Sequence, residues 1–474
     1  MPLLPLILLP AVAGGVAYLV RSAALRSAIL ILTAGAHLAL VVWLWGQESS
    51  LIPGAWLALD PLGLLVLSLV SVLFLVIAVY AVGFLEREPP RGGRVFVTGL
   101  LGFLAAATLV SVSQHLALLW VGMETTTLTL APLIYHRHDR RSLEAVWKYL
   151  LLSSVGIALA LLGTFFLAAS QTWGHPLLLG DLIAGATSLH PSLLRTAFVF
   201  LLVGYGTKMG LAPLHAWKPD TYGEAPSLVA GLMAGGLTSC AFLGLARISQ
   251  ISMAAGQAKF VQPLLLGFGV LSLVVAAAFM IGQGDLKRLL AYSSVEHMGL
   301  LVLGLGLGGV GPYGTVLHLV NNGLTKGVVF LAVGNVVLAT GSASVDQAKG
   351  ILKSLPVSGV LLLLGLFAVT GSPPFGLFLS EFTILNAAIA QGHPWVALAV
   401  VVLLAAIFVG MASVVLEVVY APAATPVPVE RESLLLVGGP ALLLAAVLVL
   451  GLYVPLPLHT MIEAAARGLG VVAP

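Results

Sequence analysis

Isolated ionisable side chains inside long apolar runs carry the chemistry of this sequence. Glu124 is the only Asp, Glu, Lys or Arg between Arg94 and Arg137, and Lys208 is the only one between Arg195 and Lys218. Further on stand Glu296 and His297, then His318, Asn322 and Lys326 at four-residue spacing, then Glu381. That spacing puts the middle three on one face of a helix. A charge at the centre of a bilayer costs about 2.5–3.5 kcal/mol on insertion scales, so each such group requires a partner or water. Burial disfavours the charged form of an acid or base and an opposite charge restores it. A Glu–Lys pair that opens and closes can therefore take up and release a proton. Imidazoles and bridging water can pass that proton on. Glu124, Lys208, His318, Lys326 and Glu381 are the expected proton-transfer groups. Glu296, His297 and Asn322 are candidate relays.

The elements that must hold these groups are membrane spans. The chain has 474 residues, 59% of them hydrophobic and only 8% charged, against about 25% charged in soluble domains. Apolar runs of spanning length recur throughout, which reads as an all-α polytopic membrane protein and not as the short alternating strands of a barrel. The segmentation gives about fourteen spans, among them 115–135, 192–214, 225–250, 289–310, 313–340 and 355–391. At 1.5 Å per residue, Glu124 and Lys208 lie about 15 Å deep in a core about 30 Å thick. Lys326 and Glu381 fall at about the same level, so four helices contribute to one layer. No basic segment precedes the first apolar run, so 3–20 reads as a span and not as a cleaved leader.

Of the 21 Lys and Arg residues, fifteen fall on one face, including Arg87, Arg91, Arg137, Lys218, Lys287 and Lys349. Four, Arg195, Arg247, Lys259 and Arg467, fall on the other, and Lys208 and Lys326 are intramembrane. The positive-inside rule makes the rich face cytoplasmic and both termini external. The seventh span carries Lys208 and should break at Pro213. The twelfth carries Glu381 and should break at Pro373 and Pro374. They run in opposite directions, and paired interrupted helices of inverted topology point to a transport site at the midplane.

Other motifs carry less. Gly304–Gly309 fits a dinucleotide fingerprint but lies inside a span, where close helix packing explains the glycines. His136, His138 and Asp139 sit in a basic loop, and His215 and Asp220 read as capping and loop-pairing residues. The lone Cys240 allows no internal disulfide and no cysteine-ligated cluster. A net charge of +3 borne by loops gives no nucleic-acid surface. No metal or cofactor site is expected in this chain.

The run TKMGLAPLHAWKPDTYGEAPS, with Met123-Glu124 and AYSSVEHMG, resembles the antiporter-like membrane subunits of respiratory complex I, Mrp-type cation/proton antiporters and group 4 hydrogenases. Met123–Thr164 is most similar to the hydrogenase-4 component F type of formate hydrogenlyase-like complexes. The resemblance implies fourteen helices with two inverted five-helix repeats. They are set here at 95–250 and 260–420, after three N-terminal helices in 1–94 and before a last helix and short tail in 421–474. It implies that Glu124, Lys208, His318, Lys326 and Glu381 match the family's ionisable positions. It also implies other membrane subunits and a peripheral redox arm whose iron–sulfur clusters and metal centre lie outside this chain. Two departures stand out. The eighth-helix lysine of many members is replaced by Thr238-Ser239-Cys240, which leaves Ser239 and water as the middle relay, and Asn322 replaces a histidine of some members.

Three functions follow. The first is a proton-translocating subunit of a redox-driven complex in the cytoplasmic (inner) membrane, with no catalytic centre of its own. The second is a subunit of a Mrp-type cation/proton antiporter. The third is a structural anchor whose path is impaired.

Overall fold

The computed structural model describes residues 3–47, 55–87, 92–171, 176–422 and 431–470. Among them the only strand-like features are three isolated bridges, so the all-helical reading holds. Three helices open the chain: α1 (Leu3–Leu19), α2 (Ala23–Trp45) and α3 (Pro61–Arg87). A first group follows: α4 (Gly93–Val112), α5 (Leu116–Ile134), α6 (Arg140–Ala169), the short α7 (Leu179–Ala184), α8 (Pro191–Met209), α9 (Trp217–Glu224), α10 (Ser227–Leu232) and α11 (Thr238–Ala254). A π turn, Met233–Leu237, joins the last two. A second group runs α12 (Ala258–Met280), α13 (Leu286–Leu307), α14 (Gly311–Thr340), the short α15 (Val345–Ala348) and α16 (Ile351–Ser354), α17 (Pro356–Val369), α18 (Gly376–Ala390) and α19 (Pro394–Tyr420). α20 (Leu434–Leu452) and α21 (Leu456–Gly468) end it.

Among the described residues, eleven helices are long and apolar enough to cross a membrane. The other three expected crossings are the 17-residue α1 and the two broken spans, α8 with α9 and α17 with α18. Polar caps set the ends. Asp139 accepts from the Ser142 amide at 2.7 Å in a capping box that starts α6. That hydrogen bond holds the Asp139 carboxyl below its usual range. Asp285 caps the start of α13, accepting from the Lys287 and Arg288 amides at 2.9 Å.

In lipid, helices associate through close packing and not through hydrophobicity, so small residues mark the contacts. A Cβ on Gly204 of α8 would lie 2.7 Å from the Gly156 carbonyl oxygen of α6. One on Gly299 of α13 would lie 2.9 Å from the Gly269 oxygen of α12. Gly306 likewise meets Leu265 of α12 at 2.8 Å, so the glycine-rich end of α13 serves packing. In both groups the first helix packs on the second, the second on the third, and the third on the broken span. The most buried segments are α10–α11 and α13, and the outer helices shield them.

The two ends of the chain share one face. Met461 of α21 packs against a cluster that includes Leu3, Leu6 and Leu44. The expected tail is thus a docked helix from Leu456, not a loose end. On the opposite face Arg87, Arg137 and Lys287 line a cavity of about 320 Å³. Burial distinguishes two residues of the basic set. Lys218 and Lys287 are buried and not exposed loop residues, while Arg91 is outside the described residues. Lys287 turns inward because its ammonium caps α9, donating to the Gly223 and Ala225 carbonyls at 2.6 Å.

Arg247 is also buried. It pairs with Asp60 at 2.9 Å and donates to the Ser111 carbonyl at 3.3 Å and to that of Ser113, at the free C-terminal end of α4. One guanidinium thereby ties α11 to α3 and α4. Arg247→Met should leave Asp60 without its cation, with only the Gly63 amide as donor, and two carbonyls without this partner. A loss of about 3–5 kcal/mol is expected for breaking a buried pair, read as a lowered thermal midpoint of the purified protein. An unchanged midpoint would refute that role.

Candidate functional site

The seventh span breaks earlier than Pro213 predicts. Gly210 takes a left-handed φ of 71° and ends α8. The Gly210 amide donates to the Thr207 carbonyl at 3.0 Å and the Leu211 amide to that of Gly206 at 2.9 Å, the paired bonds of a Schellman cap. Trp217 Nε1 reaches back to the Thr207 carbonyl at 2.8 Å. Lys208 is therefore in the last turn of a half-helix, whose carbonyl end favours a cation.

Lys208 is fully buried. Its ammonium donates to the Thr127 hydroxyl of α5, and that oxygen lies 3.4 Å from Glu124 Oε2. The expected Glu124–Lys208 pair is thus made through a threonine. The reason is helical spacing: Thr127 stands one turn beyond Glu124 and meets the lysine first. The ammonium also lies 5.7 Å from the Tyr149 ring centroid.

Another buried lysine is one that the sequence reading places on the basic face. Beyond the break, α9 turns back into the bundle and carries Lys218 inward. Its Nζ donates to Ser294 Oγ at 2.9 Å and lies 5.8 Å from the Tyr222 ring centroid. Ser239, the expected middle relay, is buried on α11 and donates to the Gly235 carbonyl at 2.6 Å.

The second half is built on α13, α14 and α18. Lys326 Nζ donates to Ser293 Oγ at 2.7 Å, and Glu296 is close enough to act on its charge. His297 Nδ1 lies 3.1 Å from His318 Nε2. The outer nitrogens are also engaged: His297 Nε2 with the Val369 carbonyl at 3.1 Å, and His318 Nδ1 with Ser380 Oγ at 3.0 Å. A carbonyl only accepts, so His297 Nε2 carries hydrogen. In neutral His297, Nδ1 is then an acceptor that faces a donor on His318 Nε2. The Ser380 hydroxyl has one hydrogen and two acceptors in reach, His318 Nδ1 and the Leu377 carbonyl at 2.8 Å.

Glu381 meets this pair from α18. Its Oε1 is buried without a protein partner, as are both side-chain polar atoms of Asn322. Asn321, the neighbour that sequence reading passed over, donates to the Gly376 carbonyl at 3.0 Å and secures the start of α18. The ligating atoms of His297, His318 and Glu381 lie within 4.8 Å of one another. The imidazole nitrogens that would hold a cation already bond to each other, so the trio reads as a relay. Asp220 pairs with Lys148 at 2.6 Å and Arg288 at 2.9 Å at the bundle end. His215 packs near the Tyr292 ring.

Apolar helices enclosing a chain of buried lysines, carboxylates and imidazoles define an antiporter-like membrane subunit. Residues 113–416 match the NADH:quinone oxidoreductase/Mrp antiporter transmembrane family, and the chain belongs to it. It is 34% identical to the hydrogenase-4 component F homolog of Methylacidiphilum infernorum, over 72% of this chain and 74% of that protein. It is 32% identical to the NADH-quinone oxidoreductase subunit N of Desulforudis audaxviator, over 81% of this chain and 77% of the relative. Its fold matches a chain of respiratory complex I from Thermus thermophilus with a TM-score of 0.83 at 26% identity, covering 99% of this chain and 100% of the other.

Gly371 sits against the Glu381 carboxylate with φ 62°, so neither the space nor the backbone accepts a side chain. Gly371→Ala should cost about 1–2 kcal/mol from the left-handed backbone alone and more from displacing Glu381. Adding Glu381→Ala should return only the second part. Thermal unfolding of both variants checks this; equal losses would mean that the carboxylate is not held there.

Proposed function

We propose that this chain carries protons across the membrane as one subunit of a redox-driven complex. The observation that supports this most is the pair of buried clusters beside the two helix breaks, Glu124, Thr127 and Lys208 in the first half and Lys326, Glu296, His297, His318 and Glu381 in the second. Glu124 and Lys208 form the first half of the path. Lys326, Glu296, His297 and His318 form the second. Glu381, beyond the α17–α18 break, serves the outward end. Asn322 and the Glu381 oxygen that lacks a protein partner are sites where water completes the path.

Two five-helix units of inverted topology, at 95–250 and 260–420, would each supply one half. Both chain ends face outward from the cytoplasmic membrane, lipid surrounds the bundle, and the basic face meets the cytoplasm. The partners are other membrane subunits and a peripheral arm that holds the iron–sulfur clusters and metal centre. A second reading, cation/proton antiport, is favoured by the family description itself, which joins both activities. A sodium dependence of the transport would select it.

The test is Lys208→Met in the native complex, reconstituted in vesicles. The side chain keeps much of its volume and loses its titrating group. Assembly should persist while proton uptake per electron falls roughly tenfold or more, and Glu381→Gln should do the same. Normal uptake in Lys208→Met would sink the proposal. Orientation has its own check: reporter fusions after Arg94 and Lys353 should read cytoplasmic, and an external reading at either would reverse the topology.

A further inference from the structure

We infer that Lys218 is the central proton carrier of this chain and takes the place of the lysine that the eighth helix lacks. The inference rests on the proposed proton path and supplies its missing middle.

Four observations carry it. Lys218 is fully buried although it lies only two residues from Asp220, which pairs with Lys148 and Arg288 at the bundle end; Lys208 is the other buried lysine of the same broken span. Its stem crosses the break directly over Gly210, where a Cβ would lie 2.5 Å from its Cδ and Cε. The left-handed glycine that ends α8 thus also opens the passage for this side chain. Its head then meets Ser294 of α13 at 2.9 Å, beside Ser293, which holds Lys326 at 2.7 Å. Lys218 and Lys326 are close enough for each charge to act on the other.

On its other side, Lys218 faces a run of packed rings that reaches Lys208. Tyr222 lies under its ammonium and packs against Trp217 with ring centroids 6.0 Å apart. Trp217 in turn packs against Tyr149 at 5.3 Å, and Tyr149 faces Lys208. The buried hydroxyls of Tyr149 and Tyr222 lie beside Thr127 and Ser294, the hydroxyls that receive Lys208 and Lys218, and are polar atoms to which water can bind. Ser239 of α11 has its hydroxyl committed to its own helix and makes no such bridge.

The partners also suit a carrier better than a strut. Among the described residues Lys218 has no carboxylate within ion-pair distance. A serine hydroxyl, the Ser294 carbonyl at 3.4 Å and an aromatic face receive it instead. A lysine kept for structure is fixed by close contact with an opposite charge or with backbone carbonyls, as Lys287 is at 2.6 Å, whereas the carbonyl contact of Lys218 is 3.4 Å. One held only by neutral groups can give its proton up without leaving an unpaired carboxylate behind.

The experiment uses the native complex in vesicles and counts protons per electron per assembled complex, so that lower yield does not enter the result. Lys218→Gln keeps a hydrogen-bond donor for Ser294 and cannot carry a proton. Lys218→Arg keeps the charge and does not release it. Both should assemble and lose proton uptake roughly tenfold or more. Uptake equal to wild type in Lys218→Gln overturns the inference, as does full uptake in Lys218→Arg, which would make Lys218 a fixed charge. Failure of both variants to assemble assigns it to holding the bundle and also overturns it. If wild type itself moves no protons, the proposed function has failed instead.

Discussion

Hydrocarbon offers nothing to a charge or to an unpaired backbone group, and the rest of this structure depends on that. Every lysine in the interior must find its partners within the protein. So must every carbonyl and amide released where a span is broken. The two breaks meet the demand in the same way. At the first, the Schellman cap at Gly210 and the Trp217 indole take the carbonyls at the end of α8. At the second, His297 takes the Val369 carbonyl at the end of α17, and Asn321 holds the first residue of α18. His297, which secures the end of α17, is thus also a member of the buried cluster of polar groups. Backbone satisfaction and the site are one construction.

The spans themselves were legible from apolar length, because a bilayer sets a simple rule for it. Their boundaries in the structure lie within a few residues of those the runs suggest. Isolated charges in those runs were equally legible, since any such residue must be housed. Lys208, Lys326, His318 and Glu381 all come to the interior. Legibility ended where the backbone turns. Pro213 marked a break correctly, but the helix ends at Gly210, because a left-handed glycine stops a helix before a proline can distort it. That offset hides Lys218. Read along a straight span, it belongs outside; on a half-helix that folds back, it points in. A lysine beside Trp217 and within two residues of Pro219 gave no periodic signal of this. The separation of Glu124 from Lys208 by Thr127 was also beyond reach, since depth arguments fix a level and not which side chain arrives first.

Holding the halves together is a different task from moving a proton, and different residues perform it. Arg247 with Asp60 gathers α3, α4 and α11 at the face where the chain ends meet. Lys287 closes α9 at the opposite face. Both cations are satisfied by fixed acceptors near the ends of the bundle, whereas Lys208, Lys218 and Lys326 face hydroxyls in its middle. Glycine contacts then let α6 approach α8 and α12 approach α13 closely enough to exclude lipid from the space between them.

The Ser380 hydroxyl has one hydrogen to divide between the Leu377 carbonyl and His318 Nδ1. The two imidazoles likewise have one hydrogen between their facing nitrogens. A proton passing through such a row leaves every donor where an acceptor had been. The row then has its polarity reversed and refuses a second proton from the same side. Only rotation of the hydroxyl and exchange of the ring hydrogens restore it. On the proposed path this segment would act as a turnstile: each passage would lock it, and the reorientation that unlocks it would set the interval before the next.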